Sequence, residues 1–358
     1  MSAEGAALAT RAPARLLADP RSRRIVRFAV GTTVGSGFAY LIGFELPFLV
    51  PILIAMLLAS PAPRPTIRGA AAFVLPVAAG AFVGVVLTRY FLQYQGIFIL
   101  IEFLVLYRIF YALAGGAAPL RMVWLLIAAL IIPLMGQASI GLSIGVALGL
   151  VKGTVIAILA VWLSFGLLPD PPTKSSPGIG GLGGKPAKEV PPPAARAAYA
   201  RRTLIVLFPI VLVFFSWSLY SHAVILVYVG LLSLLPSFAA GWKQGKGMIT
   251  GNLIGGFAAI VFYNLLTGYP EFVMFLLLTL IVGLTFGDVI FSTRPIAPTI
   301  KTAFNAVMLL VGMSLTGSGS NAASNFYARI AQVMLAVVYV AAAFGFLEYL
   351  QRKRVKKA

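Results

Sequence analysis

The sequence predicts an all-α polytopic membrane protein, with about twelve transmembrane helices in two parallel repeats of about six. Three observations predict it. First, 60% of the 358 residues are hydrophobic and only 10% are charged, whereas soluble domains carry about 25% charged residues. Mean hydropathy is +0.98. Second, 28 Lys and Arg stand against 9 Asp and Glu, and they fall on one side of the expected membrane. Third, short motifs recur at a constant offset across a Pro/Gly-rich break. The composition also narrows the chemistry. With no Cys and a single His, disulfides, thiol catalysis and His or Cys metal clusters are excluded. No cofactor, no metal and no enzymatic activity are expected. Transport, conduction or a membrane scaffold remain.

The elements follow in order. Residues 1–26 form a basic tail. They lack the apolar stretch of a cleavable signal, so the first apolar segment is expected to remain as a helix. Apolar runs suited to crossing a bilayer lie near 27–43, 44–61, 68–88, 96–114, 121–136 and 145–168, within a first repeat of 27–168. A second set lies near 202–220, 221–240, 249–267, 271–291, 299–316 and 329–350, within a second repeat of 202–350. A basic tail, 351–358, closes the chain. An even number of crossings puts both termini on one side, which then receives 24 of the 28 basic residues. Arg108 falls inside a helix, and Arg89, Lys152 and Arg329 lie toward the other side. That asymmetry predicts cytoplasmic termini in a bacterial inner membrane. The net charge of +19 therefore reads as an orientation signal and a contact for anionic membrane lipid, and no nucleic acid partner is expected.

Residues 169–201 read as a flexible cytoplasmic linker, because eight Pro and five Gly fall between Pro169 and Pro193. Gly178, Gly180 and Gly183 match a dinucleotide fingerprint formally, but no strand precedes them. Lys185 is not a phosphate-loop lysine, since Ile179 replaces the first glycine and Pro186 the Ser/Thr. The halves on either side correspond. Arg68-Gly69 matches Lys246-Gly247, and Ala118-Pro119 matches Ala297-Pro298. Ser-Phe-Gly-Leu-Leu at 164–168 matches Ala-Phe-Gly-Phe-Leu at 343–347. Repeats with an even helix count share one orientation, and transporter repeats place substrate sites at interrupted helices. Pro47 and Pro51 in the second segment, and Pro236 after its counterpart, are the candidate breaks; ordinary helix kinks account for them equally.

Charges within membrane segments are functional candidates. Glu102 and Arg108 lie on the fourth segment and Asp288 on its counterpart, with Arg294 marking that helix's end. The repeat offset sets Arg108 against Asp288, which predicts an ion pair serving as a gate, a proton-coupled switch or a static bridge. Lys152 and Arg329 form a second matched pair. With Arg89 and Arg294 they are candidate contacts for a substrate anion, although snorkelling to the interface explains them as well. Gly141, Gly145, Gly149 and Gly153 recur every four residues, a spacing suited to close helix packing. Asn252, Asn264, Asn305, Ser314 and Thr316 are expected to bond neighbouring helices or a substrate. His222 sits at a predicted turn.

Each half opens with a basic residue, Arg27 or Arg202, followed by a helix, a tight turn and a helix ending near proline. Arg68-Gly69 with Gly80 and Gly84 then corresponds to Lys246-Gly247 with Gly251, Gly255 and Gly256. This pattern resembles the fusaric acid resistance and aromatic acid exporter superfamily, especially its short bacterial members, over roughly 27–168 and 202–350. The resemblance implies export of aromatic carboxylic acids beside a periplasmic adaptor of the membrane-fusion type. Larger members carry substantial cytoplasmic domains that have no counterpart in the short linker and tail here, so roles assigned to those domains do not carry over. Plant members of the wider group resemble malate-conducting channels. The expected function is therefore an exporter of small organic anions, driven by the proton gradient through Glu102 and Asp288. The alternatives are a passive anion channel and an accessory protein of an efflux complex. A homo-oligomer is left open.

Overall fold

A computed structural model describes residues 19–60, 64–169, 191–234, 238–316 and 322–355. Among these residues the chain is helical and contains no strand. The helices are α1 (Pro20–Leu41), α2 (Leu49–Leu58), α3 (Ile67–Val86), α4 (Gln95–Ala114), α5 (Pro119–Gly136) and α6 (Ile140–Leu167). After the linker come α7 (Pro193–Ser216), α8 (Ala223–Ser233), α9 (Phe238–Gly268), α10 (Phe272–Ile290), α11 (Ala297–Thr316) and α12 (Ala322–Val355).

Seven helices among the described residues are long and apolar enough to cross a membrane. They are α3 with its extension to Phe91, α4, α6, α7, α9 from Gly245, α10 and α11. Their outward faces carry large apolar side chains, among them Phe82, Phe257 and Val273, which suits contact with lipid. This is the construction of a multi-pass membrane protein. The other expected segments are shorter or less apolar among the described residues. The second segment forms only the ten residues of α2, and shorter apolar stretches cover Arg121–Gly136, Tyr220–Ser233 and Ala331–Phe346. Helix α1 begins seven residues before Arg27, because the Asp19 carboxylate accepts from the Arg21 and Ser22 N–H groups and Pro20 occupies the first turn. These hydrogen bonds, from Ser22 above all, hold the Asp19 carboxyl below its ordinary value. The extra turn brings Arg21, Arg23 and Arg24 into α1 and dilutes its apolar character.

The linker is shorter than expected, since Pro193 starts α7 within it. The glycine fingerprint at 178–183 and Lys185, like Pro236, lies outside the described residues.

Two compact units form. The first comprises 1–70, 153–180 and 250–326; the second comprises 71–152, 181–249 and 327–358. Each draws on both halves of the sequence. In the first unit α1 packs on α10 and α2, α10 on α11, and α11 on α2. In the second, α4 packs on α7 and α5, α5 on α8, and α7 on α8. The two sets of neighbours correspond helix by helix. So do two cation–π contacts. Arg27 lies over Phe165 at 3.8 Å in the first unit, and Arg202 over Phe344 at 5.5 Å in the second. Arg27 also donates to the Leu168 carbonyl at 3.3 Å, so it caps the C-terminal end of α6, where helix carbonyls lack internal partners. The basic residues that open each half and the Phe-Gly motifs that close it thus meet in space.

The matched glycines seat helices. Gly80 and Gly84 face Ala128 and Ile132 of α5 in the second unit, while Gly251 and Gly255 face Thr302 and Ala303 of α11 in the first. A side chain at any of them would push its neighbour away. Gly153 packs on Leu49 and Phe44, as expected, but Gly145 faces open space. Gly149 is buried as well, so the stripe on α6 is buried at Gly149 and Gly153 and more open toward Gly145.

Candidate functional site

The site lies in the second unit, where α3 meets α4. Five residues from Leu87 to Phe91 form a π-turn, with the Leu92 N–H donating to the Leu87 carbonyl at 3.1 Å. Single π-turns within helices recur at functional sites. This one carries Thr88 and Arg89 into the lining of a cavity of about 570 Å³. Gln93, Gln95, Gln137, Ser216 and Ser218 add polar groups, and Phe98 and Phe215 add two rings.

Several features of the lining are costly to build. Gln137 donates from Nε2 to the Phe215 carbonyl at 2.7 Å, but its Oε1 is buried without a hydrogen-bond partner. Ser218 is a non-glycine residue at φ +51°, a left-handed conformation that such residues rarely adopt. Unpaired buried acceptors and strained backbone persist where the surrounding structure enforces them, often at binding sites. Thr88 is held in place: its hydroxyl donates to the Gly84 carbonyl at 2.8 Å and accepts from Ser143 at 3.2 Å.

Below the cavity stands Glu102. It lies one turn beyond Phe98 on the same face of α4. Its side chain is fully buried, and neither carboxylate oxygen has a hydrogen-bond partner. A carboxylate without donors in an apolar bundle costs several kcal/mol, so the position is costly to build.

The other predicted residues divide. Arg89 is exposed in the cavity lining and brings a cation to its mouth. Arg108 is exposed, six residues further along α4 than Glu102. Arg108 belongs to the second unit and Asp288 to the first. Within the first unit Asp288 receives Arg21 at 2.6 Å, and Arg21 also donates to the Asp288 carbonyl at 2.8 Å. Both partners of the Arg21–Asp288 bridge are about half exposed, 47% and 56%. The bridge ties the end of α10 to the start of α1.

Pro47 lies in the turn before α2, and Pro51 sits in its first turn, where no backbone donor is needed. Neither breaks a helix. The prolines inside helices are Pro76 in α3, Pro133 in α5 and Pro209 in α7. Lys152 is the thirteenth residue of α6 and is exposed near mid-helix. Arg294 follows the end of α10 and is exposed. Arg329 lies on α12, with its side chain outside the described residues. Asn252 is buried, Ser314 donates to the Leu310 carbonyl, and His222 occupies the turn before α8, next to the Ser221 hydroxyl. No group of three potential metal ligands occurs among the described residues.

Residues 24–164 match a family described as a protein of unknown function (DUF2955). The match runs from within α1 to most of α6, 141 of the 358 residues. No curated protein matches, and no solved structure does. The likeness to aromatic acid exporters therefore rests on the sequence pattern alone.

Proposed function

We propose that this chain is an inner-membrane exporter of small organic, aromatic carboxylic, acids that exchanges substrate for protons. One observation carries the reading: a fully buried carboxyl without a partner, Glu102, one turn beneath a polar cavity that presents Arg89. Arg89 attracts the anion to the mouth, and amide and hydroxyl groups of Gln95, Gln137 and Ser216 offer it hydrogen bonds. Glu102 carries the proton in the opposite direction. The matched helix neighbours and the paired Arg–Phe contacts support two parallel repeats with six membrane segments each and cytoplasmic termini. In that orientation the cavity opens outward, to the side where a periplasmic adaptor docks.

A cation at the cavity also suits a passive anion channel. The membrane potential alone favours exit of a monoanion by about 2.3 kcal/mol per 100 mV. Uptake of labelled hydroxybenzoates and a panel of other organic acids into everted vesicles separates the two. Accumulation that an uncoupler abolishes supports the exporter. Equilibration that resists the uncoupler identifies the channel. No uptake of any acid in the panel sinks both readings and leaves an accessory role.

A further inference from the structure

The floor of the cavity is a pair of rings. Phe98 of α4 and Phe215 of α7 meet with centroids 4.8 Å apart at 48°. Both line the cavity, and both are almost wholly buried. Glu102, one turn further along the Phe98 face of α4, has no hydrogen-bond partner in this closed arrangement. The rings therefore separate the polar cavity from the buried carboxyl.

The helices around the cavity are built unevenly. Helix α4 has no interior proline. Its neighbours are each interrupted near the cavity: α3 by the π-turn Leu87–Phe91, α5 by Pro133 and α7 by Pro209. Pro133 lies four residues before Gln137, and Pro209 six before Phe215. Proline removes a backbone hydrogen bond and kinks the helix there. The last turns of α5 and α7 thus hang from weakened points, and Gln137 ties them together through the Phe215 carbonyl. Those turns can swing as one piece and lift Phe215 from Phe98.

We propose that Phe98 and Phe215 form an aromatic gate, and that movement of the Gln137-linked ends of α5 and α7 opens it to join the cavity to Glu102. This builds on the reading of Glu102 as the proton carrier, but its geometry is testable without transport.

The chain contains no Cys, so single thiols can be introduced without altering native ones. Three are compared in protein held in lipid nanodiscs, using a charged thiosulfonate: Gln95→Cys in the cavity, Glu102→Cys beneath the rings, and Val311→Cys in the buried core of the first unit. With both rings present, the thiol at 95 labels fast and those at 102 and 311 label slowly. Adding Phe98→Ala or Phe215→Ala raises labelling at 102 by at least about tenfold, through a larger open population, and leaves 311 slow. The milder Phe215→Leu gives a smaller rise in the same direction. Fast labelling at 102 with both rings intact overturns the gate. So does slow labelling at 102 with both rings removed, or a rise at 311 that accompanies the rise at 102. If the gate holds while Glu102→Gln transports normally, the gate stands and the proton reading fails. If Glu102→Gln stops proton-driven uptake while labelling at 102 ignores the rings, the reverse is true.

Discussion

The two units use corresponding helices in different ways. In α4 of the second unit the fourth, eighth, twelfth and sixteenth residues are Phe98, Glu102, Leu106 and Phe110, and all are buried. In α10 of the first unit the same positions are Phe275, Thr279, Gly283 and Gly287, again all buried. The first position keeps its aromatic neighbour in both: Phe98 meets Phe215, and Phe275 meets Tyr40. The others diverge. Thr279 satisfies its hydroxyl by donating to the Phe275 carbonyl at 2.8 Å, whereas Glu102 is left without a partner. Gly283 and Gly287 let α1 approach closely, so that a Cβ at 283 would stand 2.8 Å from the Ala29 Cα. Leu106 and Phe110 hold α4 off its neighbours with bulk. One unit is packed nearly backbone to backbone where α10 meets α1. The other keeps an unpaired carboxyl, a π-turn and interior prolines. The contrast is sharpest at the eighth position: a satisfied hydroxyl in one unit and an unpaired carboxyl in the other.

The largest expected effect comes from exchanging the eighth positions. Glu102→Gln is expected to reduce proton-driven accumulation to the level of empty vesicles, while Thr279→Val leaves it near native; vesicle uptake measures both. If both variants transport normally, the carboxyl has no special role. Next is the twelfth position. Gly283→Leu forces α1 away from α10 and is expected to cost several kcal/mol or to prevent folding, beyond the usual 1–3 kcal/mol of an overpacked core. Leu106→Ala opens a hole instead and is expected to cost about 2–5 kcal/mol. Thermal unfolding in detergent with expression level reads both, and equal tolerance of the two would remove the packing contrast.

The paired Arg–Phe contacts sharpen the comparison further. Arg202→Leu loses a cation–π contact, expected to cost about 0.5–2 kcal/mol. Arg27→Leu loses the matching contact and its bond to the Leu168 carbonyl, and is likewise expected to lower the melting temperature. The smallest effects are at the start of α1. Asp288→Asn breaks a half-exposed ion pair and is expected to cost no more than about 1 kcal/mol, with transport retained. Asp19 has a lowered folded pKa, so its capping contribution is complete above its unfolded value, about 3.9, and fades as pH falls through the folded one. Amide exchange in the first turn of α1 should rise in acid, and Asp19→Ala should remove that dependence.

Much of this contrast escapes the sequence for physical reasons. Hydropathy reports a bilayer-compatible helix wherever an apolar run is long enough, so α4, α6 and α10 were legible within a few residues. It cannot tell a full span from α2, whose apolar run is spent partly on the turn holding Pro47. The buried cost of a lone carboxylate made Glu102 legible. Phe98 and Phe215 were not, because 25 Phe give no local signal of which two will meet. The Arg21–Asp288 bridge was not legible, because Arg21 is 267 residues away and reads as tail. The π-turn leaves no residue signature in Leu87–Phe91. The Arg27 and Phe165 motifs were both visible, but only the fold joins them.

The central claim is that Glu102 couples substrate movement to protons while the cavity alone suffices for binding and exchange. Its most direct test is to load vesicles carrying Glu102→Gln with unlabelled substrate and follow both exchange and driven accumulation of labelled acid. The account predicts that exchange continues and that accumulation against a gradient is lost. Accumulation as steep as native, still abolished by an uncoupler, would contradict it and place the coupling elsewhere in the chain.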